Sequence, residues 1–494
     1  MNIIKYLWPV CFVILFNCQR NQDKDSYAPS LLPKAVIKTI SANGGGSLYC
    51  SISGGCPLQI TGENFYNKVR VLVGSYECKN VTVSQNNTTI DCIVGPGQNG
   101  VYDITVKNID NQQSSLDPSI TDPTTLQFSY ASFLYLGSQE SPGKVYGFAQ
   151  NPTTGALITV SGSPFSISTE NSTYGVTIHS NNKFIYAANV NTNTISTYSI
   201  NPLTGALTAV GTPTAAGAIE PNGLAFHPAL SYLYVSNYGG NSISAFQVSE
   251  TGQLTAISGS PFSAGTGQKL NGLVISRDGR FLFTAASGST SGTNGVVAYS
   301  IDQTSGALNL ISGSPFLNTL GGETSNKGDG ISIHPNGKWL YMGLFGSRKM
   351  AAWTIDQTTG QLTALEAPIL NNSTTGYPDD GGSASTVSAD GLFLYSTAYS
   401  TNSSNPKKII IYSINQSTGG LSRSSEVDTG GGPNDIRIDT TGRFAYTCNT
   451  RNSPSISAYS INKSTGALTG LSPRDYSVSA PDAGPGIMVM QINK

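Results

Sequence analysis

One unit recurs seven times between residue 131 and the end of this 494-residue sequence, and nothing else in the chain restricts its fold so strongly. Its anchor is an aromatic site: FLYLGS, FIYAAN, YLYVSN, FLFTAA, WLYMGL, FLYSTA and FAYTCN, centred on Tyr135, Tyr186, Tyr234, Phe283, Tyr341, Tyr395 and Tyr446. The anchors lie 48 to 58 residues apart. Each is followed by a strand such as SISAFQV, a turn such as DQTSG, a strand such as ALNLIS and often GSPF. Seven glycines (155, 205, 252, 306, 360, 419 and 466) stand where a hairpin needs positive φ, in turns where Asn or Asp can bond its own downstream backbone. Pro164, Pro261 and Pro315 place a residue with no amide donor near an outer edge, which discourages edge-to-edge pairing.

Four strands per unit at a period near fifty is the pattern of a propeller blade, and seven units fall inside the usual four to eight. Inner strands such as NGLAFHP and DGISIHP precede only the second to seventh anchors. A strand at the C-terminus, residues 487–492, is expected to complete the first blade and close the ring; LQFSY, residues 126–130, competes for that place. The propeller is assigned to residues 131–494.

Apolar residues elsewhere also come in short alternating runs bounded by Gly, Pro, Asn and Asp, so the whole chain reads as all-β. Only 11% of residues are charged and the formal net charge is -1, which gives no basic field for nucleic acid. The first residues differ. Lys5 is followed by an apolar run from Tyr6 to Phe16 and then Cys18, a layout too short to span a bilayer and typical of a secretory leader. LFNC loosely resembles a lipobox in its relaxed spirochaetal form, which implies a leader at 1–17 and a lipid on Cys18; a plain signal peptide cut nearby is the alternative. Residues 18–34 then form a polar tether. Cysteine use agrees with export: Cys50, Cys56, Cys78 and Cys92 allow three pairings, of which the local closures Cys50–Cys56 and Cys78–Cys92 are favoured, with free buried thiols as the alternative. Cys448 stands alone as a small buried hydrophobe.

Residues 35–130 read as alternating strands, PLQITGENF, VRVLVGSYEC, TTIDCIV and GVYDITVKN. They resemble the IPT/TIG family of immunoglobulin-like domains through the ITGxxF corner (Ile60 to Phe65), Val71 to Cys78 and Gly100 to Asn108. The resemblance implies a spacer or binding module without chemistry.

The chain has three histidines, and all fall in one column, seven residues before an anchor: His179, His227, Ser276, His334, Ser388 and Asp439. This is the turn leaving the inner strand, where a short polar side chain caps the backbone. One histidine per blade cannot converge on zinc, which needs several ligands at about 2 Å, so no metal site is assigned to them.

Twelve residues before each anchor lies the loop entering the inner strand: Tyr174, Asn222, Asn271, Asp329, Ser383 and Asn434, with Asp435 next along and Asp379 and Asp380 nearby. These would ring a channel mouth and suit a small polar ligand or a calcium ion, which prefers several oxygens; otherwise Asn and Asp simply start strands well beside glycine. Arg437 breaks its column of Thr177, Ala225, Val274, Ser332 and Thr386. Pairing with Asp435 or Asp439, two positions away, is one reading and a substrate carboxylate the other.

The repeat resembles the lactonase-type seven-bladed propeller family, related to YVTN-repeat surface proteins. Some members hydrolyse 6-phosphogluconolactone or related rings, and the resemblance implies that activity here. The family's polar constellation is replaced here: Gly223 stands where a histidine would be, Asn434 follows Pro433 where an arginine would be, and Val235 to Gly240 replaces an NRG segment. Arg437, Asp435 and Asp329 are the remaining catalytic candidates. The reading placed first is a monomeric, exported lipoprotein held at the outer membrane or cell surface through Cys18, whose propeller binds a protein or glycan without a cofactor; a lactone hydrolase is the alternative.

Overall fold

A computed structural model describes residues 33–490 apart from 43–48, 53, 109–111, 121–126, 168, 289–293, 323–327, 345–346, 348, 371–379, 401–406, 451–454 and 479–484. The leader, Cys18 and nearly all of the tether lie outside the described residues. The described chain is built of strands, with one short 3-10 turn at Leu320–Gly322. It divides into two compact units, one of residues up to Leu48, Pro57–Gly95 and Tyr102–Phe128, the other of Tyr49–Cys56, Pro96–Val101 and Ser129–Lys494.

The first unit holds a five-stranded sheet in the order Lys79–Val83, Thr89–Ile93, Pro57–Glu63, Val36–Ala42, Ser115–Leu116. A further antiparallel set pairs Ile104 to Lys107 with Arg70–Val73, which pairs with Tyr76–Glu77. Alternation along Pro57–Glu63 buries Leu58, Ile60 and Gly62 and leaves their neighbours partly exposed. Leu58, Ile60, Phe65, Val71, Ile90 and Val106 are fully buried.

One expected disulfide is present and one is not. Cys50 and Cys56 are bonded, whereas Cys78 and Cys92 are buried free thiols, as is Cys448. Cys78 directly precedes Lys79–Val83, whose Lys79 pairs with Ile93 beside Cys92, so the two thiols are neighbours across one hairpin and are nevertheless unbonded. The hydrogen bond with Cys78, together with burial, pushes the Cys92 thiol well above its ordinary titration range. Both act as small core residues.

In the second unit, seven four-stranded antiparallel blades follow one another. Blade 2 is typical: Thr173–Ile178 innermost, then Phe184–Asn189, Thr194–Ile200 and Leu207–Ala209. The C-terminal strand Pro485–Met490 is innermost in blade 1, pairing Tyr135 with Val489 and Leu134 with Met490. Gln127–Ala131, the competing segment, instead pairs in parallel with Tyr49–Ser51. Inner strands neighbour one another in sequence order, and Pro485–Met490 packs between Pro433–Ile438 of blade 7 and Thr173–Ile178 of blade 2, so the ring is closed.

The repeated residues hold blade to blade. Asn201 shows how each turn forms: its side-chain oxygen accepts the amides of Leu203 and Thr204 at 2.9 and 3.1 Å, and Gly205 follows at φ 73°. The anchor Tyr135 of the preceding blade donates its hydroxyl to the Gly205 carbonyl at 2.7 Å. Phe133, two residues before that anchor, lies so close that a Cβ on Gly205 would fall 2.5 Å from its ring. Glycine is therefore required twice, for backbone angle and for clearance. The same hydroxyl-to-carbonyl bond joins Tyr186 to Gly252, Tyr234 to Gly306, Tyr341 to Gly419 and Tyr446 to Gly155. The outer strands of blades 1 and 3 are each in two pieces, and the SPF segments sit at the break. There Ser163 and Ser260 accept the amides of Gly147 and Ala245, both at 2.9 Å, which fixes the proline turn on the third strand.

Candidate functional site

The inner strands enclose a cavity of about 450 Å³. Each inner strand from blade 2 to blade 7 starts with a β-bulge, for example between Thr173 and Val176, Pro221 and Leu224, and Gly328 and Ile331. The column twelve residues before the anchors falls inside or beside these bulges, whose function is to re-aim side chains. Adjacent glycines allow the blades to meet there: a Cβ on Gly175 would lie 2.0 Å from the Asn222 carbonyl oxygen, and one on Gly223 2.9 Å from that of Asn271.

Tyr174, Asn222, Asp329, Asn434, Asp435 and Arg437 all line this cavity. Asn271 lines an adjoining one of about 440 Å³ that shares Tyr174, Asn222 and Asp329. Ser383 lies in the strand Asp380–Val387, with its side chain outside the described residues, as is that of Asp380; Asp379 is also outside them. Asn271 spends its amide on Ser287 and on the Gly328 carbonyl, at 3.1 and 2.9 Å, so it braces the mouth. Asn434 donates to the Tyr174 hydroxyl oxygen at 3.2 Å, linking blades 7 and 2. Burial, with the nearby Asp329 charge, pushes Tyr174 well above its ordinary titration range, so the hydroxyl keeps its proton.

Arg437 pairs with Asp435, at 3.1 Å, and not with Asp439. Its Nε–H is shared between Asp435 and the Met488 carbonyl at 3.0 Å, and Asp435 accepts the Met488 amide at 2.9 Å. Asp435 therefore latches the closing strand. Burial raises its pKa, opposed by Arg437 and by the Met488 and Ile436 amides. The Arg437 side chain is 38% exposed and lines the cavity. Among the described residues lining it, Arg437 is the one cation and Asp329 the carboxylate not engaged in the latch. The sequence identified these residues but not the strand they hold, because Met488 is 53 residues from Asp435.

The histidine column caps turns, as its position implied. His227 accepts the Leu230 amide on Nδ1 at 2.9 Å, and its Nε2 lies 3.0 Å from the Gly279 carbonyl of the next blade. His334 accepts the Asn336 amide and meets the Gly391 carbonyl in the same way. Ser276, Ser388 and Asp439 accept the amides of Phe281, Phe393 and Phe444. Among the described residues, no group of three His, Cys, Asp or Glu side chains could hold a metal ion.

Comparison with known proteins agrees with this architecture. The family described as Lactonase, 7-bladed beta-propeller matches residues 123–266, 224–376 and 331–482, and the IPT/TIG domain matches residues 37–127. No curated protein matches the sequence. Solved structures with the same fold include a candidate 6-phosphogluconolactonase from Bacteroides uniformis, 20% identical with a TM-score of 0.61, over 73% of this chain and 99% of that one. One from Bacteroides fragilis is 19% identical with a TM-score of 0.61, over 76% and 99%. The periplasmic gluconolactonase of Pseudomonas aeruginosa is 17% identical with a TM-score of 0.61, over 73% and 99%. With its seven blades, closed ring and matched repeats, the chain belongs to the seven-bladed β-propeller lactonase family and carries an IPT/TIG domain before the propeller.

Proposed function

We propose that the channel binds a lactone and hydrolyses it. The observation carrying this is the placement of Arg437 and Asp329 on the wall of one cavity, beside a protonated Tyr174. In this reading Asp329 takes a proton from water as the water oxygen adds to the lactone carbonyl. The developing oxyanion is met by the Tyr174 hydroxyl and the free guanidinium nitrogens of Arg437. The ring C–O bond then breaks, and the proton held by Asp329 passes to the departing ring oxygen, giving a hydroxy acid. Family membership supports this ordering over a purely binding role.

The test is a panel of lactones followed by acid release at constant pH, with Arg437→Lys as the variant. Lysine keeps the charge but loses the planar donor set. Hydrolysis above the solvent rate, with kcat/KM falling at least about tenfold in the variant, is the supporting result; the same rate in both contradicts it.

The IPT/TIG match and the leader-like N-terminus support an accompanying proposal: the chain is exported, anchored through Cys18, and presents its propeller at the cell surface, where it can also bind a protein or glycan. Radiolabelled fatty acid incorporated by the parent and not by Cys18→Ser would support the anchor.

A further inference from the structure

Below its polar mouth the cavity changes character. Ala225, Val274, Ile275, Ile333, Ile438 and Val489 line it, and all six remain partly exposed although apolar. They stand on five inner strands, three or four residues beyond the mouth column in blades 3, 4, 5 and 7, and on the closing strand. At about 3.3 Å per residue, four residues of strand add roughly 13 Å of depth. Arg437 stands at the same register as Ala225 and Val274, each opposite its blade's anchor, and the other polar side chains at that depth are uncharged. Thr177, Ser385 and Thr440 share the cavity, and Ser385 is hydrogen-bonded to Ser332 at 2.9 Å.

Charge points the same way. The described charged side chains lining the cavity are Asp329, Asp435 and Arg437, two carboxylates against one guanidinium. Arg437 already shares its Nε–H with Asp435 and Met488. A phosphate group would bring about -1.5 to -2 charge at neutral pH into this setting. A polyhydroxylated ring would find donors and acceptors at the mouth and few below it, while a hydrocarbon chain would find a wall matched to it.

Resting on the lactone reading above, we propose that the ligand is a lactone whose ring carries an alkyl substituent. The ring is met by Tyr174 and Asp329 at the mouth and by the Arg437 guanidinium from below, and the alkyl chain runs past Val274 to Ile333 and Ile438. A phosphorylated sugar lactone is excluded by the same features.

Binding of the ring-opened product tests this without requiring turnover. The full-length chain is titrated calorimetrically with δ-hydroxy acids bearing methyl, propyl and pentyl groups, and with 6-phosphogluconate. Burying a methylene contributes about 0.8 kcal/mol, so affinity should rise roughly fourfold per added methylene. Val274→Thr, a near-isosteric change that adds a hydroxyl to the wall, should flatten this slope while leaving the thermal midpoint close to the parent's. Affinity independent of chain length, or tighter binding of 6-phosphogluconate than of the pentyl compound, overturns the proposal. Chain-dependent binding without hydrolysis would uphold this inference and refute the catalytic reading; hydrolysis without chain dependence would do the reverse.

Discussion

The Tyr446 hydroxyl donates to the Gly155 carbonyl at 2.7 Å, joining the last blade to the first across 291 residues of sequence. The same hydroxyl accepts the Gln150 amide at 2.8 Å. It is fully buried, so Tyr446→Phe leaves a carbonyl and an amide short of a partner and should cost about 1–3 kcal/mol. Phe283, the one anchor without a hydroxyl, supplies the reciprocal test. A Cβ on Gly360 would lie 2.4 Å from Phe281, which places this turn as in the other blades. Phe283→Tyr should therefore gain up to about 1 kcal/mol through the Gly360 carbonyl. Urea unfolding of the two variants measures both effects.

Asp435 serves the closing strand, and its removal should be felt as ring opening. Asp435→Ala strands the Met488 amide and the Nε–H of Arg437, and should cost about 3 kcal/mol. Asp435→Asn keeps an acceptor for Met488 and should cost less. The folded carboxyl titrates above its ordinary 3.8 because burial outweighs its partners. Its pH-linked contribution is thus fully present below that value and is lost as pH rises through the folded value. Thermal midpoints taken from acid to neutral pH should accordingly move in favour of Asp435→Asn, relative to the parent, as pH rises.

His227 is held neutral. Burial lowers its pKa below the ordinary 6.5, against the opposing pull of the Gly279 carbonyl, Gln303 and Asp278. The unfolded chain takes up the proton first, so the stability tied to this residue is complete above about pH 6.5 and declines as pH falls toward the folded value. Replacing it, as in His227→Ser, should flatten this limb of the pH–stability curve. An unchanged slope between pH 7 and 5 would contradict the assignment.

Cysteine status is directly measurable. Alkylation of the denatured, unreduced chain followed by peptide mapping should label Cys78, Cys92 and Cys448 and spare Cys50 and Cys56. Protection of Cys78 and Cys92 would restore the pairing that their spacing suggested.

Local rules made much of the fold legible. The Asn201-to-Gly205 turn and the aromatic anchor at Tyr135 are each written in a few adjacent residues, and repetition identifies the ring. What those residues do to one another was not legible. Gly205 reads as a turn glycine, yet it also seats the ring of Phe133, 72 positions earlier, in the preceding blade. The mouth column was found by counting, but Tyr174 and Asn434 became partners only once blades 2 and 7 met around the ring. A bulge in each inner strand breaks the two-residue alternation, so period alone did not show that Val274 and Ile438 face a cavity. Spacing rightly brings Cys78 and Cys92 together, on either side of the paired Lys79 and Ile93, but it carries no sign of whether two neighbouring thiols are oxidised.

Asp329→Asn provides the most direct test of catalysis in the channel. Asparagine has nearly the same shape and stands at the equivalent place in three other blades, so the thermal midpoint should stay close to the parent's, while lactone hydrolysis falls by a factor on the order of 10²–10⁴, the usual worth of a general base. Hydrolysis undiminished in this variant, or absent from the parent across the lactone panel, would contradict the account.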